Sequence, residues 1–138
     1  MFLIIDTSKK LYLALSKNDQ IIGQFKGEFL KQSEKLLLTF DKLLSKNKVK
    51  LKDLKAIFVN VGPGSFTGLR VGIDSANALA FSLNIPLVGI KEKEMNNESL
   101  AETGFIKFQK GKISKMLLPI YAQKPHITKV RKRKTSPI

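Results

Sequence analysis

The sequence contains no cysteine and a single histidine, His126. Disulfides and thiolate metal sites are therefore excluded, and a reducing compartment fits. One histidine cannot assemble a metal site of the histidine and cysteine kind, so no metal and no cofactor is expected. A serine–histidine–acid set would have to draw on His126, in the basic tail, so nucleophilic hydrolysis is not expected. Long apolar runs are missing too. The apolar runs at residues 2–5 and 56–59 are far below the ~20 residues a membrane helix needs. No basic region precedes an apolar segment of about 7–15 residues at the N-terminus, so no secretory leader is expected and the reading is a cytoplasmic chain with no membrane partner. Acidic residues are scarce: 11 against 25 lysines and arginines, a net charge of +14. That excess predicts attraction to polyanions, RNA foremost. A charged surface without such a partner is the plainer alternative.

The 138 residues, 43% hydrophobic, suit one domain that buries roughly two-thirds of its unfolded surface. Residues 2–5 form an apolar run stopped by Asp6-Thr7-Ser8, the pattern of a central strand ending in a polar turn. Residues 11–15 and 21–25 flank Asn18-Asp19 and predict a hairpin. Residues 29–46 carry near-helical apolar spacing, with Gln32 or Ser33 as the start. Residues 56–61 read as a buried strand, 65–83 as a helix, and 86–90 as a short strand. Three strands, helix, strand, helix, strand imply a mixed sheet covered by helices, an α/β fold. That order matches the ribonuclease H-like half of the actin/hexokinase-type (ASKHA) fold. Beyond Ile90 the character changes. Residues 91–103 are polar and acidic, a linker or short helix. Residues 105–108 alternate weakly, Lys110-Gly111 is a turn, and residues 113–121 could pair with them as a strand. The division is 1–90 as the first domain, 91–124 as a shortened remnant with a short strand pair, and 125–138 as a basic tail.

The glycine-rich stretch Gly62-Pro63-Gly64-Ser65-Phe66-Thr67-Gly68 joins the predicted strand 56–61 to the predicted helix. Helix N-termini carry unpaired N–H groups and favour anions, so phosphate binding is one reading. The signatures do not fit. A Walker loop needs Lys-Ser/Thr after its last glycine, where this chain has Leu69-Arg70. The dinucleotide fingerprint needs a glycine where Thr67 stands. The plainer reading is a tight turn in which Pro63 fixes φ, Gly62 and Gly64 take positive φ and Ser65 caps the helix. Inside the helix, Gly68, Gly72, Ala76 and Ala80 recur every four residues. Interior glycines cost about 1 kcal/mol each relative to alanine. Close packing of a second helix on this small-residue strip would offset that. The second helix is either the chain's own first helix or, the reading preferred here, one from another subunit. Leu69, Ile73 and Leu79 are expected on other faces, reaching the sheet.

The run from Gly62 to Ile73 resembles the hallmark of the bacterial TsaB (YeaZ) proteins, a family of tRNA threonylcarbamoyladenosine biosynthesis. Phe2-Leu3-Ile4-Ile5-Asp6-Thr7-Ser8 resembles the family's opening strand and first phosphate-type loop, Ser33-Glu34-Lys35-Leu36-Leu37 its first helix, and Ile85-Pro86-Leu87-Val88-Gly89-Ile90 its next strand. Leu118-Pro119-Ile120-Tyr121 is similar to a strand near the family's C-terminus. The resemblance implies a non-catalytic scaffold that pairs with a TsaD-like catalytic subunit and forms homodimers alone. Both contacts would use the first helix with the glycine-containing second one, at Gln32, Leu36, Gly68, Gly72, Ile73, Ala76 and Ala80. A TsaE-like ATPase could join them. Gln32 stands where many relatives carry a histidine. Full-length members have a second ribonuclease H-like domain, with ATP in the superfamily held between the two. Asp6, Thr7 and Ser8 could then touch a phosphate without enclosing a nucleotide, and a strand-ending turn that bonds its own N–H groups is preferred for them. Contact with tRNA is expected to be indirect or through Arg70 and the tail residues Lys129, Arg131, Lys132, Arg133 and Lys134. The alternatives are a small ATP- or phosphate-binding protein and a free-standing basic tRNA-binding module.

Overall fold

A computed structural model describes residues 1–28, 35–64, 66–95 and 99–121. Five strands form one sheet: β1 (Phe2–Asp6), β2 (Leu11–Lys17), β3 (Gln20–Gly27), β4 (Ala56–Gly62) and β5 (Leu87–Lys91), in the order β3-β2-β1-β4-β5. The first three run as an antiparallel meander, and β1–β4 and β4–β5 pair in parallel. The continuous apolar sequences of β1 and β4 follow from their central place, buried on both faces. At the hairpin tip Asn18 takes φ 56°, a left-handed conformation that asparagine tolerates. This is the ribonuclease H-like arrangement expected from the sequence.

Helices α1 (Leu36–Lys46) and α2 (Phe66–Leu83) belong to one side of the sheet. There Leu36, Phe40, Leu43, Leu69 and Ile73 join Leu3, Ile5, Leu13 and Val59 in a single cluster. The expected helix start at Gln32 or Ser33 lies outside the described residues. On the other side Phe2, Ile4, Phe58, Val88 and Ile90 meet a third helix, α3 (Leu100–Gln109).

That helix corrects one expectation. Residues 105–108 are not a strand but the last turns of α3. Ser99 caps it, accepting from the Glu102 N–H while the Glu102 carboxylate accepts from the Ser99 N–H, a capping box. Gly104 lies so close to Phe58 that a Cβ would sit on the ring. Phe105 and Phe108 then reach Phe2, which stacks on Phe58 at 4.7 Å between centroids and meets Phe108 edge-on at 4.9 Å. Aromatic packing on the sheet outweighs the weak alternation of the segment.

Residues 113–121 do not form a strand pair with 105–108 either. They run as a strap beside β5 and over its sheet edge. Ser114 exchanges two backbone bonds of 2.8 Å with Leu87. Asn77 of α2 holds Leu117 with both ends of its amide, at 2.9 and 3.0 Å. The Ile120 N–H donates to the Val61 carbonyl at 2.7 Å. On the same edge Lys107 Nζ donates to the Gly89 carbonyl at 2.7 Å and to Glu94 at 2.9 Å. An edge strand offers open hydrogen-bonding groups to other chains, and here the strap and Lys107 occupy several of them.

Candidate functional site

The glycine loop follows β4, directly beside the end of β1. Asp6, Thr7 and Ser8 therefore face Asn60, Gly62 and Gly64 across the gap between two parallel strands. Gly62 has φ 109°, and a Cβ there would strike the Ile120 carbonyl oxygen. Only glycine satisfies both constraints. The Gly62–Pro63 peptide is cis. A Cβ on Gly64 would approach the Ser8 Cβ to 2.9 Å. The expected positive φ thus holds at Gly62, whereas Gly64 is required for the close approach of the Ser8 turn. Ser65 lies outside the described residues, and Thr67 is exposed at the start of α2.

The polar side chains of this region bond one another. Asp6 Oδ1 accepts from the Ser8 N–H at 2.9 Å and from the Ser8 hydroxyl at 2.7 Å. The Asn60 amide donates to Ser8 Oγ at 3.4 Å, and its Oδ1 accepts from the Gly62 N–H at 2.9 Å. The Thr7 hydroxyl donates to the Gly68 carbonyl at 2.5 Å and accepts from the Gly72 N–H at 3.1 Å. Thr7, Ser8 and Asn60 are all buried. The strand-ending turn preferred from the sequence is what forms at Asp6-Thr7-Ser8. Next to it an open groove of about 330 Å³ is lined by Asp6, Ser8, Lys9, Tyr12, Lys26 and Glu92. Burial, and then the neighbouring Asp6 carboxylate, raise the Tyr12 phenol above its ordinary pKa. Among the described residues no group of three or more His, Cys, Asp and Glu side chains could hold a metal ion.

The small-residue strip takes a different place from the one expected. Gly68, Gly72, Ala76 and Ala80 are all buried, and so are Leu69 and Ile73. These six positions share one face, which is turned to the chain's own sheet. A Cβ on Gly72 would strike Thr7 Oγ1 and would come within 3.2 Å of Ile5 Cγ2. The glycine is thus required by the protein's own β1 end, not by a second helix. Leu36, expected at the same interface, is also buried, at 2% exposure. The physical reason is spacing. Residues three and four apart share a helix face, and this face of α2 carries the apolar side chains that cover β1 and β4.

The outward faces of the two helices hold other residues. Leu37 and Leu38 on α1 are 57% and 63% exposed, and Phe81 on α2 is 89% exposed. Arg70 approaches Asp74 at 4.0 Å, one turn along, with both side chains largely in solvent, a pair that contributes well under ~1 kcal/mol. Gln32, Lys129, Arg131, Lys132, Arg133 and Lys134 lie outside the described residues. Sequence reasoning passes over Asn60 and Asn77. The signal for Asn60 is present, a lone amide inside the apolar run 56–61; Asn77 gives none.

Comparison with known proteins fits this geometry. The family model described as TsaD, tRNA N6-adenosine threonylcarbamoyltransferase, matches residues 30–128. The tRNA threonylcarbamoyladenosine biosynthesis protein TsaB of Buchnera aphidicola (subsp. Schizaphis graminum) is 33% identical over 114 residues, 82% of this chain and 52% of the relative. TsaB of Bacillus subtilis is 36% identical over 94 residues, 67% of this chain and 41% of that protein. The solved structure of YeaZ from Pseudomonas aeruginosa superposes with a TM-score of 0.61 at 28% identity, covering 68% of this chain and 45% of that one. The chain belongs to the TsaD-type family of ASKHA-like proteins and, within it, to the TsaB/YeaZ members. It spans about half the length of the curated relatives it matches. Among the described residues no helix is long and apolar enough to cross a membrane.

Proposed function

We infer that this chain serves tRNA threonylcarbamoyladenosine biosynthesis as a non-catalytic partner of a TsaD-like subunit. The observation that carries this reading is the closure of the Asp6-Thr7-Ser8 and glycine-loop region upon itself. The Thr7 and Ser8 hydroxyls and the Asn60 amide, the groups that would greet a substrate or a phosphate, are bonded to one another and to α2. Such a region orders a scaffold rather than turning over a substrate. Among the apolar side chains open to a partner are those on the outer side of the same two helices, where Leu37, Leu38 and Phe81 stand in solvent. Adjacent exposed apolar side chains of this size offer surface that a protein contact would cover. The small residues contribute indirectly, by letting α2 lie close on β1 and so fixing its outer face.

The same surface would support a homodimer when the TsaD-like subunit is absent, and a TsaE-like ATPase would join the assembled pair. The test is co-purification with the TsaD-like subunit, with reconstitution of tRNA modification when the TsaE-like protein is added. Leu37→Asp with Leu38→Asp should abolish capture while thermal unfolding is unchanged, since neither side chain is in the core. Capture by the double variant at wild-type level would refute the helical surface. Modification at full rate without this chain would refute the function.

A further inference from the structure

The charge of the chain is unevenly placed. Every one of the 11 acidic residues lies at or before Glu102, whereas ten of the 25 lysines and arginines lie beyond it. The stretch 103–138 therefore carries +10 of the net +14. Its described residues, 103–121, are held firmly. Helix α3 ends in a Schellman motif: the Gly111 N–H donates to the Phe108 carbonyl at 3.0 Å, the Lys112 N–H to the Lys107 carbonyl at 3.0 Å, and Gly111 takes φ 75°. Ser114 is then fixed to Leu87 and Leu117 to Asn77. Lys110, Lys112 and Lys115 are exposed on this pinned turn. Lys91 and Lys112 line one groove of about 360 Å³ along the β5 edge, together with Ile113 and Leu118. The carboxylate beside that groove, Glu94, is already engaged by Lys107 and the Lys91 N–H. A helix C-terminus accounts for one cation near its last carbonyls. Lys112 and Lys115 lie past the cap, where that account does not reach.

We propose that the β5 edge, with Lys91, Lys110, Lys112 and Lys115, is a docking surface for the phosphate backbone of RNA, a tRNA if the function proposed above holds. The surface neutralises phosphates without reading sequence, because among the described residues no aromatic side chain stands between the four lysines to stack a base. A lipid surface fits less well. The apolar residues Leu100, Ala101 and Gly104 of α3 are turned into the sheet, so α3 does not offer the free apolar face with which a basic helix enters a bilayer.

The experiment uses the full chain and a fluorescein-labelled, unmodified tRNA transcript, titrated by anisotropy over a range of salt. Lys110→Gln, Lys112→Gln and Lys115→Gln together should weaken binding at least tenfold near physiological salt. They should also flatten the log–log salt slope by about two units, given ~0.7–0.9 for each phosphate no longer neutralised. A control triple on the opposite half of the sheet, Lys10→Gln, Lys17→Gln and Lys26→Gln, removes the same charge and should cost less than threefold. Equal losses for both triples would mean diffuse attraction and overturn the proposal. So would an unchanged affinity in the first triple, or its loss of binding to phosphatidylcholine–phosphatidylserine vesicles with tRNA binding intact. The first triple should still be captured by the TsaD-like subunit. Failure of capture in wild type would strike the functional reading, whereas failure of the tRNA contrast strikes only this surface.

Discussion

The Thr7 hydroxyl bridges the Gly68 carbonyl and the Gly72 N–H, the two ends of one helical step of α2. Thr7 also occupies the space where a Cβ on residue 72 would lie. The end of β1 and the first turns of α2 are therefore one unit. Alanine at a helix interior is ordinarily worth about 1 kcal/mol over glycine. At position 72 the clash should win, and Gly72→Ala should destabilise by about 1–3 kcal/mol, the usual range for overpacking. Thr7→Ala in the same chain should recover part of that loss. A double-mutant cycle by urea unfolding measures it, and additive effects would show that the two residues do not meet as described.

Asn77 imitates a strand neighbour for Leu117, donating to its carbonyl and accepting from its N–H. Asn77→Ala removes both bonds from a partly buried site. The expected cost is about 1–3 kcal/mol. Most of the effect should be local: faster hydrogen exchange at the Leu117 amide and faster proteolysis between residues 113 and 121, with exchange in β1 and β4 little changed. Uniformly faster exchange across the sheet would mean the strap is part of the global unfolding unit.

How much of this is legible in the sequence varies by element. The strands at 2–5 and 56–61 are plain, because a strand buried on both faces needs an unbroken apolar run. The small-residue strip is visible too, but the sequence does not say which way it turns. A four-residue period defines a face; it does not name what the face meets. Its true neighbour, Thr7, is 61 positions from Gly68 and 65 from Gly72, and no local pattern carries such a pairing. Helix α3 reads as part linker and part strand because the phenylalanines at 105 and 108 sit in a weak alternation. Yet Ser99-Leu100-Ala101-Glu102 is a capping-box sequence, and it marks the helix start. The residues Asp6-Thr7-Ser8 have identities that fit either a ligand contact or a self-bonded turn, and their sequence alone does not separate the two.

Ser16 is fully buried beside Phe2 in the β1–β2 register, and its hydroxyl has no hydrogen-bond partner among the described residues. A buried hydroxyl without a partner costs about 1–3 kcal/mol. Ser16→Ala removes the cost and leaves a void no larger than one oxygen. It should raise stability by about 1 kcal/mol, or a few degrees in Tm for a chain of this size. A drop in Tm would mean that the hydroxyl is satisfied, by a water or by residues beyond those described.

Lys107 ties α3 to β5 and to the turn at Glu92–Glu94 through one ammonium group. Burial tends to raise the Glu94 pKa, but hydrogen bonds from the Lys91 N–H and from Lys107, with the charge of both lysines, outweigh it and hold the carboxyl below its ordinary value. The sign of the pH effect follows from linkage. The folded state binds the Glu94 proton less tightly than the unfolded state does. The stabilisation is therefore fully present above the unfolded carboxyl value and is lost as pH falls through the lower folded value. Lys107→Met keeps the aliphatic stem and removes the charge, at a cost of about 1 kcal/mol near neutrality, because the pair is partly solvated. The Tm gap between wild type and Lys107→Met should be constant from pH 8 to about pH 5 and should narrow below the ordinary carboxyl range. A gap that persists unchanged to about pH 3 would assign the loss to the Gly89 carbonyl bond and to packing instead of the carboxylate.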